Sequence, residues 1–164
     1  MGSGFSYKCK KCKEKYSVHL GVGMLFPRVY QNLLNNIKNG EYGDELKLIA
    51  DSQQYVAINA SRWVYICSHC GKWNLEYAMD LYAPVNIKEI SGKKFGDKTV
   101  SELGYVPYVT PYSLHKDYKL LKRFIHKCPD CGKRTHRANE KEFRELSCPH
   151  CKNKNNKVAE IMWD

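Results

Sequence analysis

All eight cysteines of this 164-residue chain fall in four Cys-x-x-Cys pairs: Cys9/Cys12, Cys67/Cys70, Cys128/Cys131 and Cys148/Cys151. None is left over. Two sulfurs three residues apart on a tight turn can point at one ion, and two such turns complete a tetrahedron. The 16 residues between Cys131 and Cys148 lie in the spacing range of a four-cysteine zinc site. The other two pairs stand 54 residues apart. The expected pairing is therefore sequential, Cys9/Cys12 with Cys67/Cys70 and Cys128/Cys131 with Cys148/Cys151, each site holding one Zn²⁺. An interleaved cross-brace is the competitor. It is disfavoured because loops of 54 and 57 residues would have to close around one small unit.

Such sites need a reducing compartment, where paired cysteines bind metal and do not form disulfides. The lysines at 8, 10, 11, 13 and 15 interrupt any secretory leader. No apolar run is long enough to span a bilayer. A cytoplasmic protein without membrane association is expected. The opening Met1-Gly2-Ser3-Gly4-Phe5-Ser6 reads either as a flexible Gly/Ser leader or as an N-myristoylation signal.

The knuckles Cys-Ser-His-Cys-Gly-Lys and Cys-Pro-Asp-Cys-Gly-Lys resemble those of zinc-ribbon and rubredoxin-like proteins. The glycine after the second cysteine suits a left-handed backbone that turns amide N–H groups towards sulfur. Cys12 and Cys151 are followed by Lys13 and Lys152 instead. The resemblance covers the knuckles and their flanking strands and implies a structural class only, with iron as the minor alternative to zinc.

The intervening elements must position these turns. Arg62–Ile66 reads as a strand into the second knuckle, and Trp73, Leu75, Tyr77, Met79 and Leu81 alternate on the way out. Ser17–Phe26 reads as a strand or loop. Pro27 opens a helix carrying Val29, Tyr30, Leu33, Leu34 and Ile37 at helical spacing, and Gly40 stops it. A second helix starts at Asp44. Residues 86–98 are rich in Lys, Gly and Ser and read as a linker, and Thr99–Leu103 as a helical turn. Pro107 and Pro111 keep the following segment out of a central strand. The apolar residues of 158–163 should dock back onto a lobe. The expected fold is α+β, with two zinc-ribbon-like β lobes: 1–85 with a helical insertion, a bridging segment 86–112, and 113–164.

No catalytic constellation is present. A closed four-sulfur site leaves no position for a metal-bound water, and no His-Glu-x-x-His or phosphate-binding glycine loop occurs. His69 and His150 sit inside knuckles, but four sulfurs already fill each tetrahedron. The formal charge of +10 falls to about +6 once eight thiolates bind two Zn²⁺. Residues 113–157 hold 13 Lys/Arg against 5 Asp/Glu, so the C-terminal lobe is the basic one. Lys122, Arg123, Lys133, Arg134 and Arg137, with Phe124 among them, suit a phosphate backbone and stacked bases. The lysines around Cys9 and Cys12 have two readings, phosphate contact or compensation of the anionic metal centre. The expected function is a non-catalytic nucleic-acid-binding module or part of a nucleic-acid complex. A protein–protein adaptor is the alternative, and a rubredoxin-like iron electron carrier a third reading.

Overall fold

The computed structural model describes residues 2–163. In chain order the elements are β1 (Gly2–Cys9), β2 (Lys15–Leu20), α1 (Phe26–Lys38), α2 (Asp44–Ser52), β3 (Ala57–Ile58), β4 (Arg62–Cys67), β5 (Trp73–Tyr77), β6 (Leu81–Pro84), α3 (Ile87–Gly92), β7 (Lys94–Phe95), β8 (Lys98–Thr99), α4 (Val100–Leu103), α5 (Pro111–Asp117), β9 (Tyr118–Lys122), β10 (Thr135–Arg137), α6 (Glu140–Arg144) and β11 (Asn156–Trp163). The fold is α+β with small antiparallel sheets. Two compact units share the chain. Unit 1 takes residues 1–24, 61–77 and 125–164; unit 2 takes 25–60 and 78–124.

Unit 1 holds the sheets β11-β1-β2 and β10-β4-β5, joined by the Gly21–Arg62 bridge. Alternation along β1 turns Phe5, Tyr7 and Cys9 inward, where Phe5 and Tyr7 meet Val18, Leu20, Val64, Phe143 and Leu146. The Tyr7 hydroxyl donates to the Phe143 carbonyl at 2.5 Å. Asn156 Nδ2 donates to the Tyr16 hydroxyl at 3.1 Å and to the Leu146 carbonyl at 2.8 Å. Trp73 Nε1 donates to the Ser147 carbonyl at 2.9 Å. Residues 143–147 therefore cover the core of unit 1.

In unit 2, α1 buries Phe26, Tyr30, Leu33, Leu34 and Ile37, as its periodicity requires. Leu46 and Ala50 of α2 are also buried, and the sheet runs β3-β6-β9. Gln31 Nε2 donates to the Val106 and Pro107 carbonyls at 2.9 and 2.5 Å, which fixes the proline-containing segment. The expected linker is ordered: Asn86 caps α3, Ile90 is buried, and β7 and β8 form a hairpin. Thr99 and Glu102 form a capping box on α4.

Three expectations change. The division into 1–85, 86–112 and 113–164 gives way to the two discontinuous units. The helices of 25–60 belong with 78–124 and not inside a first ribbon. The Gly/Ser leader is strand β1, paired on both sides from Gly2 or Ser3 to Lys8. A Cβ on Gly2 would lie 2.4 Å from Trp163 Nε1, so glycine there makes room for the docking tail. Of the proposed lipidation motif, Met1 lies outside the described residues. Among the described residues no helix is long and apolar enough to cross a membrane.

Candidate metal centres

Each Cys-x-x-Cys pair is built by the same local turn. The amide of the first cysteine donates to the carbonyl five residues on: Cys9 to Glu14, Cys67 to Lys72, Cys128 to Lys133 and Cys148 to Asn153, at 2.8–2.9 Å. The residue after the second cysteine donates back to the first cysteine's carbonyl, from Lys13, Gly71, Gly132 and Lys152. That residue is left-handed in all four turns, with φ of 64°, 70°, 69° and 60°. Glycine adopts this at no steric penalty, but Lys13 and Lys152 adopt it too. Each of these lysines also ties its Nζ to a carbonyl of its own turn, Lys10 at 2.8 Å and Pro149 at 3.0 Å. The missing glycines therefore do not alter the knuckle.

The pairing is nested. Cys9, Cys12, Cys148 and Cys151 form site A, and Cys67, Cys70, Cys128 and Cys131 form site B, with all sulfurs of a site within 4.8 Å of one another. Both the sequential expectation and its interleaved competitor are overturned. Strand pairing explains why. The β1–β11 ladder sets Cys9 opposite Asn156 and so brings the first knuckle to the last. The β4–β10 ladder sets Cys67 opposite Thr135 and brings the second to the third.

Printed on the sulfurs is the size of one ion. Sγ–Sγ separations are 3.6 Å for Cys9–Cys151 and for Cys12–Cys148. In site B they are 3.5, 3.6 and 3.9 Å. A tetrahedron with metal–sulfur bonds of about 2.3 Å has edges of about 3.8 Å. A disulfide would need about 2.05 Å, and all eight thiols are free. Each site can thus hold one metal ion, and a four-sulfur donor set accepts zinc or iron.

The first cysteine of every pair is buried, and the second reaches towards solvent. Burial pushes the Cys9 thiol up, but the amides of Cys12 and Lys11, with Asn153 and Cys151, outweigh it and bring it down to about 6. The Cys70 and His69 amides likewise bring Cys67 down to about 6 against the effect of burial. Cys12 and Cys131 go up to about 12: amide bonds from Glu14 and Lys133 act downward, but burial and the three neighbouring sulfurs outweigh them. Four adjacent sulfurs cannot all ionise without a cation among them.

Outside the ligands, Asn153 Nδ2 donates to Cys9 Sγ at 3.6 Å. Lys72 and Asp130, one from each knuckle of site B, form an ion pair at 2.7 Å. Sequence reasoning missed both. An amide two residues beyond Cys151, and a lysine in one Cys-x-x-Cys-Gly-Lys knuckle with an aspartate in the other, were the available signals. His69 and His150 are exposed and neither belongs to a donor group. His136 pairs with Glu142 at 2.8 Å and with Ser68 at 3.1 Å.

The chain matches no protein-family model, no curated protein and no solved structure.

The five expected phosphate-binding residues do not share one lobe. Lys122 and Arg123 belong to unit 2, where Lys122 pairs with Glu45. Lys133, Arg134 and Arg137 belong to unit 1. Lys133 and Arg134 are exposed, whereas the Arg137 guanidinium lies 3.3 Å from the Trp63 ring centroid. The 119–137 stretch is continuous in sequence but divided at residue 124 in space.

Proposed function

We propose that the chain is a non-catalytic binding module in which two structural zinc ions hold unit 1 together, and that it acts on nucleic acid or within a nucleic-acid-handling complex. The observation that carries the structural part is closure. Each site offers four sulfurs at tetrahedral spacing, leaving no ligand position for a substrate or an activated water. All eight thiols are engaged in this way, so none serves as a nucleophile. A thiolate-rich, closed site in a reducing compartment is most simply a zinc site.

The nucleic-acid part rests on charge. Unit 1 holds 16 Lys/Arg against 8 Asp/Glu, and two zinc–tetrathiolate centres lower its +8 to about +4. Unit 2 holds 11 against 9. The basic surface belongs to the unit that carries the metals, and Lys133 and Arg134 are among its exposed charges.

Elemental analysis of the purified chain should return two zinc per molecule in a colourless sample, and chelation should unfold unit 1. A red, iron-loaded protein with a reversible one-electron couple would replace this reading with electron transfer. Failure to retain any DNA or RNA at low salt would remove the nucleic-acid part and leave the adaptor. One observation favours that second reading: a groove of about 520 Å³ lined by Phe5, Leu20, Trp63, Phe143 and Met162, which suits an apolar anchor. Binding through it would respond weakly to salt.

A further inference from the structure

The outer face of the β11-β1-β2 sheet carries a row of like charges. Register places Lys8 directly opposite Lys157 on one side and opposite Lys15 on the other. Directly opposed residues project from the same face, and like charges there are destabilising. All three lysines are exposed, and none appears in an ion pair among the described residues. Two unfavourable pairs in succession on one rung of a sheet call for an anionic occupant.

The surroundings amplify the row. Lys10, Lys11 and Lys13 lie in one knuckle of site A, and Lys152 and Lys154 lie in or just beyond the other. Residues 8–15 and 152–157 together hold eight lysines and one acid, Glu14. A zinc–tetrathiolate centre offsets two positive charges, so about +5 remains here, more than the net charge of the whole metal-loaded unit. Compensation of the metal therefore does not account for these lysines.

Away from the row the side chains shorten, Ile161 opposite Gly4 being the exception. Ser6 has Ser17 and Ala159 as its cross-strand partners. The strip then ends at His19 and Trp163, whose rings stack with centroids 5.1 Å apart. Trp163 Nε1 donates to the Ser3 and Leu20 carbonyls at 3.0 Å, which holds the indole in place. A basic row, a floor of small side chains and a fixed aromatic pair match how single strands are held, by phosphate contacts together with base–ring contacts.

We propose that this face binds single-stranded nucleic acid, with Lys8, Lys15 and Lys157 on successive phosphates and the His19–Trp163 pair bordering the bases. The proposal rests on the nucleic-acid reading above and moves its centre away from Lys133 and Arg134.

The test uses the zinc-loaded full chain and a labelled oligothymidylate of about 12 nucleotides, within the span of one small domain. The variant Lys8→Gln/Lys15→Gln/Lys157→Gln is compared with Lys133→Gln/Arg134→Gln. Three lost single-strand contacts lower the log–log salt slope by about 2 and weaken binding on the order of 100-fold near 0.1 M salt. The second variant should leave both unchanged. Zinc content should stay at two, and the thermal midpoint of the triple variant should hold or rise, because it relieves repulsion. If the triple variant binds normally and the control variant does not, the face is wrong while nucleic-acid binding stands. If duplex DNA binds as tightly as the single strand, the single-strand assignment falls. If no strand of DNA or RNA binds the wild type at low salt, both readings fall together.

Discussion

Double cysteine replacement read by metal stoichiometry tests the nested pairing directly. Cys9→Ser with Cys148→Ser strikes site A twice and spares site B, so one ion per chain should remain. Cys9→Ser with Cys67→Ser strikes both sites, so none should remain tightly bound. Sequential pairing predicts the reverse. Loop lengths give the coupling between sites. Treated as a cross-link, site B closes the 57 residues between Cys70 and Cys128, worth about 4 kcal/mol of unfolded-chain entropy, and site A closes the 135 between Cys12 and Cys148, worth about 5 kcal/mol. With site B already closed, the open path for site A shortens to the flanking segments of 54 and 16 residues, worth about 4.4 kcal/mol. Loss of site B should therefore weaken metal binding at site A by about 0.6 kcal/mol, near threefold, from chain entropy alone, and by more where the shared core loosens. Chelator competition on Cys67→Ser/Cys70→Ser would measure it. Retention of one ion by Cys9→Ser/Cys67→Ser would refute the nested arrangement.

Other outcomes follow from the same geometry. Lys13→Gly and Lys152→Gly should each stabilise the metal-loaded protein by about 1 kcal/mol, because a side chain at positive φ carries a strain of that order, whereas Gly71→Ala and Gly132→Ala should destabilise by a similar amount; chemical denaturation checks both directions. Tyr7→Phe removes the buried hydroxyl bond to the Phe143 carbonyl and should lower stability by about 1–2 kcal/mol, seen as a lower denaturation midpoint with metal content intact. Burial raises the phenols of Tyr7 and Tyr16 above their ordinary value. Their contribution is complete below the unfolded tyrosine value of about 10 and is lost as pH rises beyond it, because the unfolded chain ionises first; tyrosinate absorbance should grow in step with loss of circular dichroism.

Helix α1 was legible because Tyr30, Leu33, Leu34 and Ile37 announce one buried face. The eight cysteines were legible as donors because the knuckle is a local device, fixed by hydrogen bonds spanning five residues. Which knuckle meets which was not legible, since that depends on β1 finding β11 across more than a hundred residues. No local signal encodes that register. Residues 86–98 carry a linker's composition, yet one buried side chain, Ile90, and the Asn86 cap suffice to fold them. The lysines at 13 and 152 argued against the turn by type, and the metal-site geometry overrides that preference.

The nested order follows from how unit 1 is assembled. Its three chain segments, 1–24, 61–77 and 125–164, are separated by the two excursions that build unit 2. Three pieces need at least two links to become one. Site A joins the first segment to the third, and site B joins the second to the third, which is that minimum with no link wasted. Sequential pairing would have joined the first to the second and spent its other ion within the third, leaving the longest segment attached by packing alone. Unit 1 packs Tyr16, Trp63, Ile66, Trp73, Leu75 and Val158 around a buried cluster of Phe5, Tyr7, Val18, Leu20, Val64, Ala138, Phe143 and Leu146, and in a unit of this size burial yields only a few kcal/mol net. Ions bound at these two sites would lie across segment junctions, where they add most to stability, and the third segment, with both of its knuckles, would be the piece on which the other two depend.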